Sequence, residues 1–180
     1  MAVLWMILLY VVLVLVLVVI VSLVQGMVVT LTSVPWVRTP RRKTKKILTF
    51  AGLKPGERIV DFGSGDGSIV IDAARDFGAV GQGIERQWAL VWIARIRARI
   101  LRLSRRASFV RGDLFKTAMP NADVIFCYLF PEVNARLEPV LLERYPSGTR
   151  VVSRTFSFPS LPLVATERIG AETMYLYRIP

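Results

Sequence analysis

The stretch IVDFGSGDGSIV, Ile59 to Val70, sets Gly63, Gly65 and Gly67 between two apolar runs. The run before the loop is short and of strand type. The run after it, SIVIDAARDFG, repeats Ile69, Val70, Ala73, Ala74 and Phe77 at helical spacing, with Gly78 as its stop. A glycine loop between a strand and a helix turns tightly, approaches a ligand closely and adds the unpaired N–H donors of a helix N-terminus. In an open α/β sheet that loop is the floor of the ligand site. Tight turns use glycine too, so the pattern alone does not name a ligand.

Downstream the alternation continues. AVGQGIE reads as a second strand, and Arg86 to about Leu103 as a longer helix with Trp88, Val91, Trp92, Ile96 and Ile100 as its apolar stripe. ASFVRGD is a third strand. ADVIFCYLF is a fourth, nearly all apolar, as a strand buried on both faces should be. PEVNARLEPVLLERY gives a helix with an interior proline, Pro139, and GTRVVSRTF a fifth strand. LVATERI and TMYLYRI flank GAE as a terminal antiparallel hairpin. The expected fold is α/β and doubly wound, Rossmann-like, with a mostly parallel seven-stranded sheet that ends in an antiparallel hairpin.

Upstream the chain changes character. Of its 180 residues 53% are hydrophobic, yet the excess sits at the start, where residues 2–24 carry no charge. As a helix rising about 1.5 Å per residue they would reach roughly 35 Å, enough to cross a hydrocarbon core of about 30 Å. A cleaved signal is the competing reading, against which stand the length of the run and the lack of a basic segment before it. Arg38, Arg41, Arg42, Lys43, Lys45 and Lys46 follow the span, so the positive-inside rule puts the rest of the chain on the cytoplasmic, inner side. The expected organisation is a transmembrane anchor at 1–24, a juxtamembrane linker at 25–40 and a single domain at 41–180. Within the linker Thr39 reads as a helix N-cap and Pro40 as the first helical residue.

Cys127 is the only cysteine, which excludes an internal disulfide, and there is no histidine, which excludes His-dependent triads and His-ligated zinc. No metal site is expected. The net charge of +11 makes anionic lipid and nucleic acid candidate partners by charge alone. Between them, the arginine-rich ARIRARILRLSRR reads as a solvated or membrane-facing helix surface, because no stacking aromatics accompany its polar face.

The acids around the loop sharpen its chemistry. A phosphate-binding loop would be neutral or basic, with a lysine after the last glycine, whereas this one reads GSGDG with Asp61 just before it. Carboxylates there suit a ligand with a positive centre and no phosphate. VDFGSGDG resembles motif I of the class I, seven-strand S-adenosylmethionine-dependent methyltransferases. The resemblance extends to Glu85, ending the second strand where the family places an acid on the ribose hydroxyls, and to Asp113, ending the third near the adenine amino group. It implies S-adenosyl-L-methionine as cofactor, bound by Asp61, Gly63, Ser64, Gly65, Asp66, Gly67, Glu85 and Asp113. Asp66 also reads as a cap of the following helix.

Three further features, VPWVRTP, YLFPEVNARLEPVLLERYPSGTRVVS and the N-terminal apolar segment, are similar to one group of protein lysine methyltransferases. That group includes membrane-anchored enzymes acting on the adenine nucleotide translocase and the ATP synthase c subunit, and small archaeal relatives. The likeness implies a protein lysine acceptor and a segment, with Val34, Pro35, Thr39 and Pro40 as matching positions, that covers the cofactor. Thr39 is thereby a candidate cofactor contact. The chain departs from the group at Ser153-Arg154-Thr155-Phe156, where relatives often carry a histidine, and at FPSLPL. Methyl transfer to an amine needs alignment and exclusion of water more than a strong base. Tyr128, ending the fourth strand, is the candidate for lining the amine channel, ahead of Asp123, and a core aromatic is its other reading. Two alternatives remain open: a lipid or small hydrophobic acceptor, and a non-catalytic basic module tethered to the membrane.

Overall fold

The computed structural model describes residues 1–32 and 39–180. Val34 and Pro35 lie outside the described residues. The chain forms two units, Met1–Trp36 and Val37–Pro180. In the first, helix α1 runs from Ala2 to Thr32, into the stretch expected to be linker. Its segment Val3–Leu23 is long and apolar enough to cross a membrane, and none of it is buried.

The second unit opens with α2 (Arg41–Phe50) and continues through β1 (Arg58–Phe62), α3 (Ser68–Asp76), β2 (Val80–Glu85), α4 (Trp88–Ile100) and β3 (Ala107–Arg111). Then follow β4 (Val124–Cys127), α5 (Pro131–Arg144), β5 (Arg150–Arg154), β6 (Leu163–Ile169) and β7 (Glu172–Arg178). The sheet has seven strands in the order β3-β2-β1-β4-β5-β7-β6. β1 to β5 are parallel, and the β6–β7 hairpin adds antiparallel to β5. The expected doubly wound sheet and its closing hairpin are what the chain forms.

Strand chemistry follows position in this sheet. β4, between β1 and β5, is buried at every residue, which is why its sequence is continuously apolar. Ile59, Val124, Phe126 and Val152 turn to the face that packs on Ile47 and Leu48 of α2 and Ile69 and Ala73 of α3. On the same side, Val70, Ile71 and Ala74 of α3 meet Val91, Ala94 and Ala98 of α4 and Ala107 and Phe109 of β3. The opposite face takes α5, whose buried Asn134 donates from Nδ2 to Ser153 Oγ at 3.3 Å; Ser153 is two residues beyond Val151 and so shares its side. Pro139 sits inside α5 without breaking it.

Two sequence expectations fail at helix boundaries and faces. Thr39 does not cap α2: Pro40 is the N-cap residue and no side chain caps that end. In α4 the expected stripe is turned outward, with Trp88 at 54%, Trp92 at 58% and Ile96 at 51% exposure. The residues that face the sheet are Leu90, Val91, Ala94 and Ala98. Of the expected stripe only Val91 is in the core. The two alanines win that side because short side chains let the helix lie close to a sheet whose β2 carries Gly81 and Gly83.

Candidate functional site

Of the residues expected to bind the cofactor, Asp61, Gly63, Ser64, Gly65, Asp66, Gly67, Glu85 and Asp113 lie at or just beyond the carboxyl ends of β1, β2 and β3, whereas Thr39 lies on Arg154 at the end of β5. The loop after β1 is pinned to β2 by Gly63 and Ser64, whose N–H groups donate to Ile84 O at 2.9 and 3.1 Å. Gly63, Gly65 and Gly67 have φ of +79°, +54° and +77°, conformations a side chain resists. At Gly67 space matters as well, since a Cβ would stand 2.5 Å from Phe109 Cζ and 2.9 Å from Ala94 Cβ. This glycine lets the loop sit down on β3 and α4.

Glu85 is held from both sides. Gly65 N–H donates to its Oε2 at 2.9 Å and Gln87 N–H to its Oε1 at 2.8 Å, so the carboxylate joins the glycine loop to the start of α4. One strand over, Gly112 N–H donates to Glu85 O at 3.0 Å, which brings Asp113 alongside. Asp113 Oδ1 accepts from Phe115 N–H at 2.9 Å and fixes the turn after β3.

Asp61 is 3% exposed, and its carboxyl is pushed well above the usual range by burial first, then by Glu85 and Asp66. A buried acid beside two others is ill placed alone, and a cationic ligand would relieve it. Ser64 Oγ is buried with no hydrogen-bond partner among the described residues. The raised acid, the unpartnered hydroxyl and the loop shaped by its glycines fit an adenosyl ligand with a positive centre and hydroxyls.

Asp66 is turned elsewhere. Its carboxylate pairs with Arg97 Nη1 of α4 at 2.5 Å and accepts from Ser68 Oγ at 2.7 Å and Ser68 N–H at 3.3 Å. It ties α3 to α4.

The carboxyl ends of β4 and β5 hold a group whose role sequence reasoning passed over. Arg154, at the end of β5, is 2% exposed; its guanidinium lies 4.1 Å from the ring centroid of Tyr128. It grips Glu172 through two nitrogens, each at 2.7 Å, and donates to Thr39 Oγ1 at 2.7 Å. Lys43 of α2 joins at 2.9 Å from Glu172. The Arg154 hydrogen bond, with Lys43 beside it, lowers the Glu172 carboxyl to about 2. Thr39, Tyr128, Arg154 and Glu172 thus form one cluster, and Thr39 serves it as an acceptor. The signal was present: Arg154 lies two residues after Val152, on the same inward side of a strand, where an arginine is unusual. Thr155 follows with φ +71°, and its buried Oγ1 has no partner among the described residues. Phe130 and Phe156 pair edge to face at 5.9 Å nearby in sequence.

Asp123 belongs to the other end of the sheet, where its Oδ2 accepts from Arg58 N–H at 2.7 Å. It lines a polar cleft of about 400 Å³ with Lys54, Arg150 and Arg178, at the amino ends of β1, β4 and β5. That position sets it apart from Tyr128, at the opposite end of β4.

Comparison with known proteins identifies the family. Residues 61–165 match the family model described as the ANTKMT methyltransferase domain. A protein-lysine N-methyltransferase of Saccharolobus islandicus is 33% identical, over 81% of this chain and 94% of its own. The adenine nucleotide translocase lysine N-methyltransferase of Mus musculus is 32% identical over 81% of this chain; the match spans 63% of the mouse protein. Among solved structures, an RNA methyltransferase of Salinibacter ruber, in complex with S-adenosyl-L-homocysteine, superposes with a TM-score of 0.77. It is 38% identical, over 80% of this chain and 94% of its own.

Proposed function

The chain belongs to the ANTKMT methyltransferase family and is an S-adenosylmethionine-dependent methyltransferase; on that premise we propose that it methylates lysine side chains of proteins from a single-pass membrane anchor. The observation that carries the reading is Glu85 bonded to the glycine loop, with Asp61 beside it and Asp113 next to the Gly112 that pairs with it, in a chain that matches nearly the whole length of a protein-lysine N-methyltransferase.

Glu85, steadied by two backbone N–H groups, would hold the ribose hydroxyls, Asp113 the adenine edge and Asp61 the positive end of the cofactor. Ser64 Oγ and the loop amides complete the cradle, while Asp66 supports it by locking α3 to α4 through Arg97. When bound, S-adenosylmethionine would supply a sulfonium methyl group to a neutral amine, leaving a thioether, with the proton of the methylated amine passing to water. The amine must arrive neutral, and its alignment falls to Tyr128, whose ring is braced by Arg154. Thr39, held by the same arginine, closes the acceptor side against water.

α1 is read as the anchor, with the basic residues after it keeping the catalytic unit on the inner side and against anionic headgroups. A membrane protein is then the acceptor within easiest reach. An RNA acceptor is the second reading, favoured by the name of the Salinibacter ruber relative and by the net charge of +11.

Membranes holding the enzyme are incubated with methyl-labelled cofactor, and the label is followed into protein, RNA and organic fractions. Methyl-lysine in the protein hydrolysate is the expected product. Label confined to RNA or to lipid would overturn the lysine assignment. Glu85→Ala should abolish both the labelling and the heat of S-adenosylmethionine binding; an unchanged binding heat would remove Glu85 from the site.

A further inference from the structure

α4 is apolar on two opposite sides. Leu90, Val91, Ala94 and Ala98 fill the side against the sheet. Trp88, Trp92, Ile96 and Ile100 recur every four residues on the other, with Ile93 beside them. Exposure along that outer row rises to 74% at Ile100, and no described element covers it. Single exposed apolar residues are ordinary on a protein surface, but a contiguous row with two tryptophans marks a contact surface.

The charges identify what it contacts. From Arg86 to Arg106 there are seven arginines and no acid. Arg97 is spent on Asp66 and Arg95 on the Phe109 carbonyl. Arg99, Arg102 and Arg105 are exposed, and none of them has an acidic partner among the described residues. Tryptophan and isoleucine bordered by arginine is the composition of a helix that lies in a bilayer interface, its apolar side sunk below anionic headgroups. RNA would satisfy the arginines and leave the Trp and Ile row in water. A second copy docked on the same face would bring one arginine border against another.

We propose that the outer face of α4, formed by Trp88, Trp92, Ile93, Ile96 and Ile100 with Arg99, Arg102 and Arg105 at its border, docks flat on an anionic bilayer surface. This rests on the reading of α1 as a membrane span, and not on the identity of the acceptor. Because both belong to one chain, the anchored protein meets the bilayer at high effective concentration, so even a weak contact is populated. Only two residues separate α4 from the carboxylate-bearing end of β2, so docking fixes the cofactor end of the sheet at a set height above the lipid.

The test uses the full chain with Trp5→Phe and Trp36→Phe, which leaves Trp88 and Trp92 as its tryptophans. It is reconstituted into phosphatidylcholine vesicles with or without phosphatidylglycerol, and with lipid brominated near the carbonyl end of the acyl chains. In anionic vesicles the emission should shift to the blue and lose roughly half its intensity to bromine, the depth expected of an interfacial helix. Ile96→Glu should restore the emission while leaving the heat of S-adenosylmethionine binding unchanged. Emission that bromine leaves intact, whether open to acrylamide or shielded from it, overturns the proposal; in the shielded case a protein covers the face. An alkaline wash separates the two readings: chain released from the vesicles overturns the anchor together with the docking surface, while chain retained but insensitive to bromine overturns the docking surface alone.

Discussion

Helices α3 and α4 flank the same strand, and both are rich in apolar residues, but they are held in different ways. α3 is buried from Ser68 to Ala74, all the way round its first two turns. It is wedged between α2, the sheet and α4, and it buries even Asp72, which accepts from Thr44 Oγ1 and pairs with Arg75. α4 commits one side, made of small residues, and leaves the larger ones outside. Apolar content therefore measures what a helix can bury; neighbours decide what it does bury.

The contrast is open to direct attack by substitution, with stability read from chemical denaturation of the whole chain. Ile71→Ala, at the centre of α3, should cost about 4 kcal/mol, as a large-to-small change in a packed core does. A loss near zero would mean that α3 is as loosely held as the outer row of α4. Gly67→Ala, at the junction of the two helices, should cost about 3 kcal/mol, from a Cβ forced against Phe109 and Ala94 and a positive φ together. Asp72→Ala should cost about 2 kcal/mol, since it leaves Thr44 and Arg75 without their shared acceptor. Ala94→Leu, overpacking the committed side of α4, should cost about 1.5 kcal/mol. Ile96→Ala, on the open side of the same helix, should change stability by less than about 0.5 kcal/mol. Were the last two reversed in size, the assignment of faces in α4 would be wrong.

Acid sharpens a different contrast, between the raised carboxyl of Asp61 and the lowered one of Glu172. Glu172 is depressed in the folded state to about 2, against an ordinary carboxylate near 4.5, so its bridge to Arg154 stabilises the fold above that ordinary value. The contribution falls away as pH drops through about 2. Glu172→Gln should therefore lose stability relative to the parent at neutral pH and approach it in strong acid. A difference that does not change with pH would mean that the bridge contributes nothing.

Much of this was legible in the chain. The strand, glycine loop and helix of residues 58–76 are local features, as is the continuous apolar run of β4, whose burial on both sides leaves no polar position to disguise it. Glu85 and Asp113 could be placed together because one ends β2 and the other follows β3 by two residues, and strand ends converge in a parallel sheet. The core side of α4 was not legible. Its hydrophobic period fits two opposite stripes, and choosing the bulkier one pointed outward. The cluster of Thr39, Tyr128, Arg154 and Glu172 was hidden for another reason, since Thr39 and Arg154 are 115 residues apart and meet only when β5 closes beside β4.

The sequence by itself therefore determined the alternation of strands and helices, the glycine loop and the acids beside it, and the apolar N-terminal segment, because each is written in neighbouring residues. The tertiary structure alone decided which side of α4 is core, that Asp66 is spent on Arg97, and that Thr39 answers to Arg154 instead of capping α2. Those outcomes depend on how closely two surfaces approach and which charge lies across the gap, and neither quantity exists until the chain has folded.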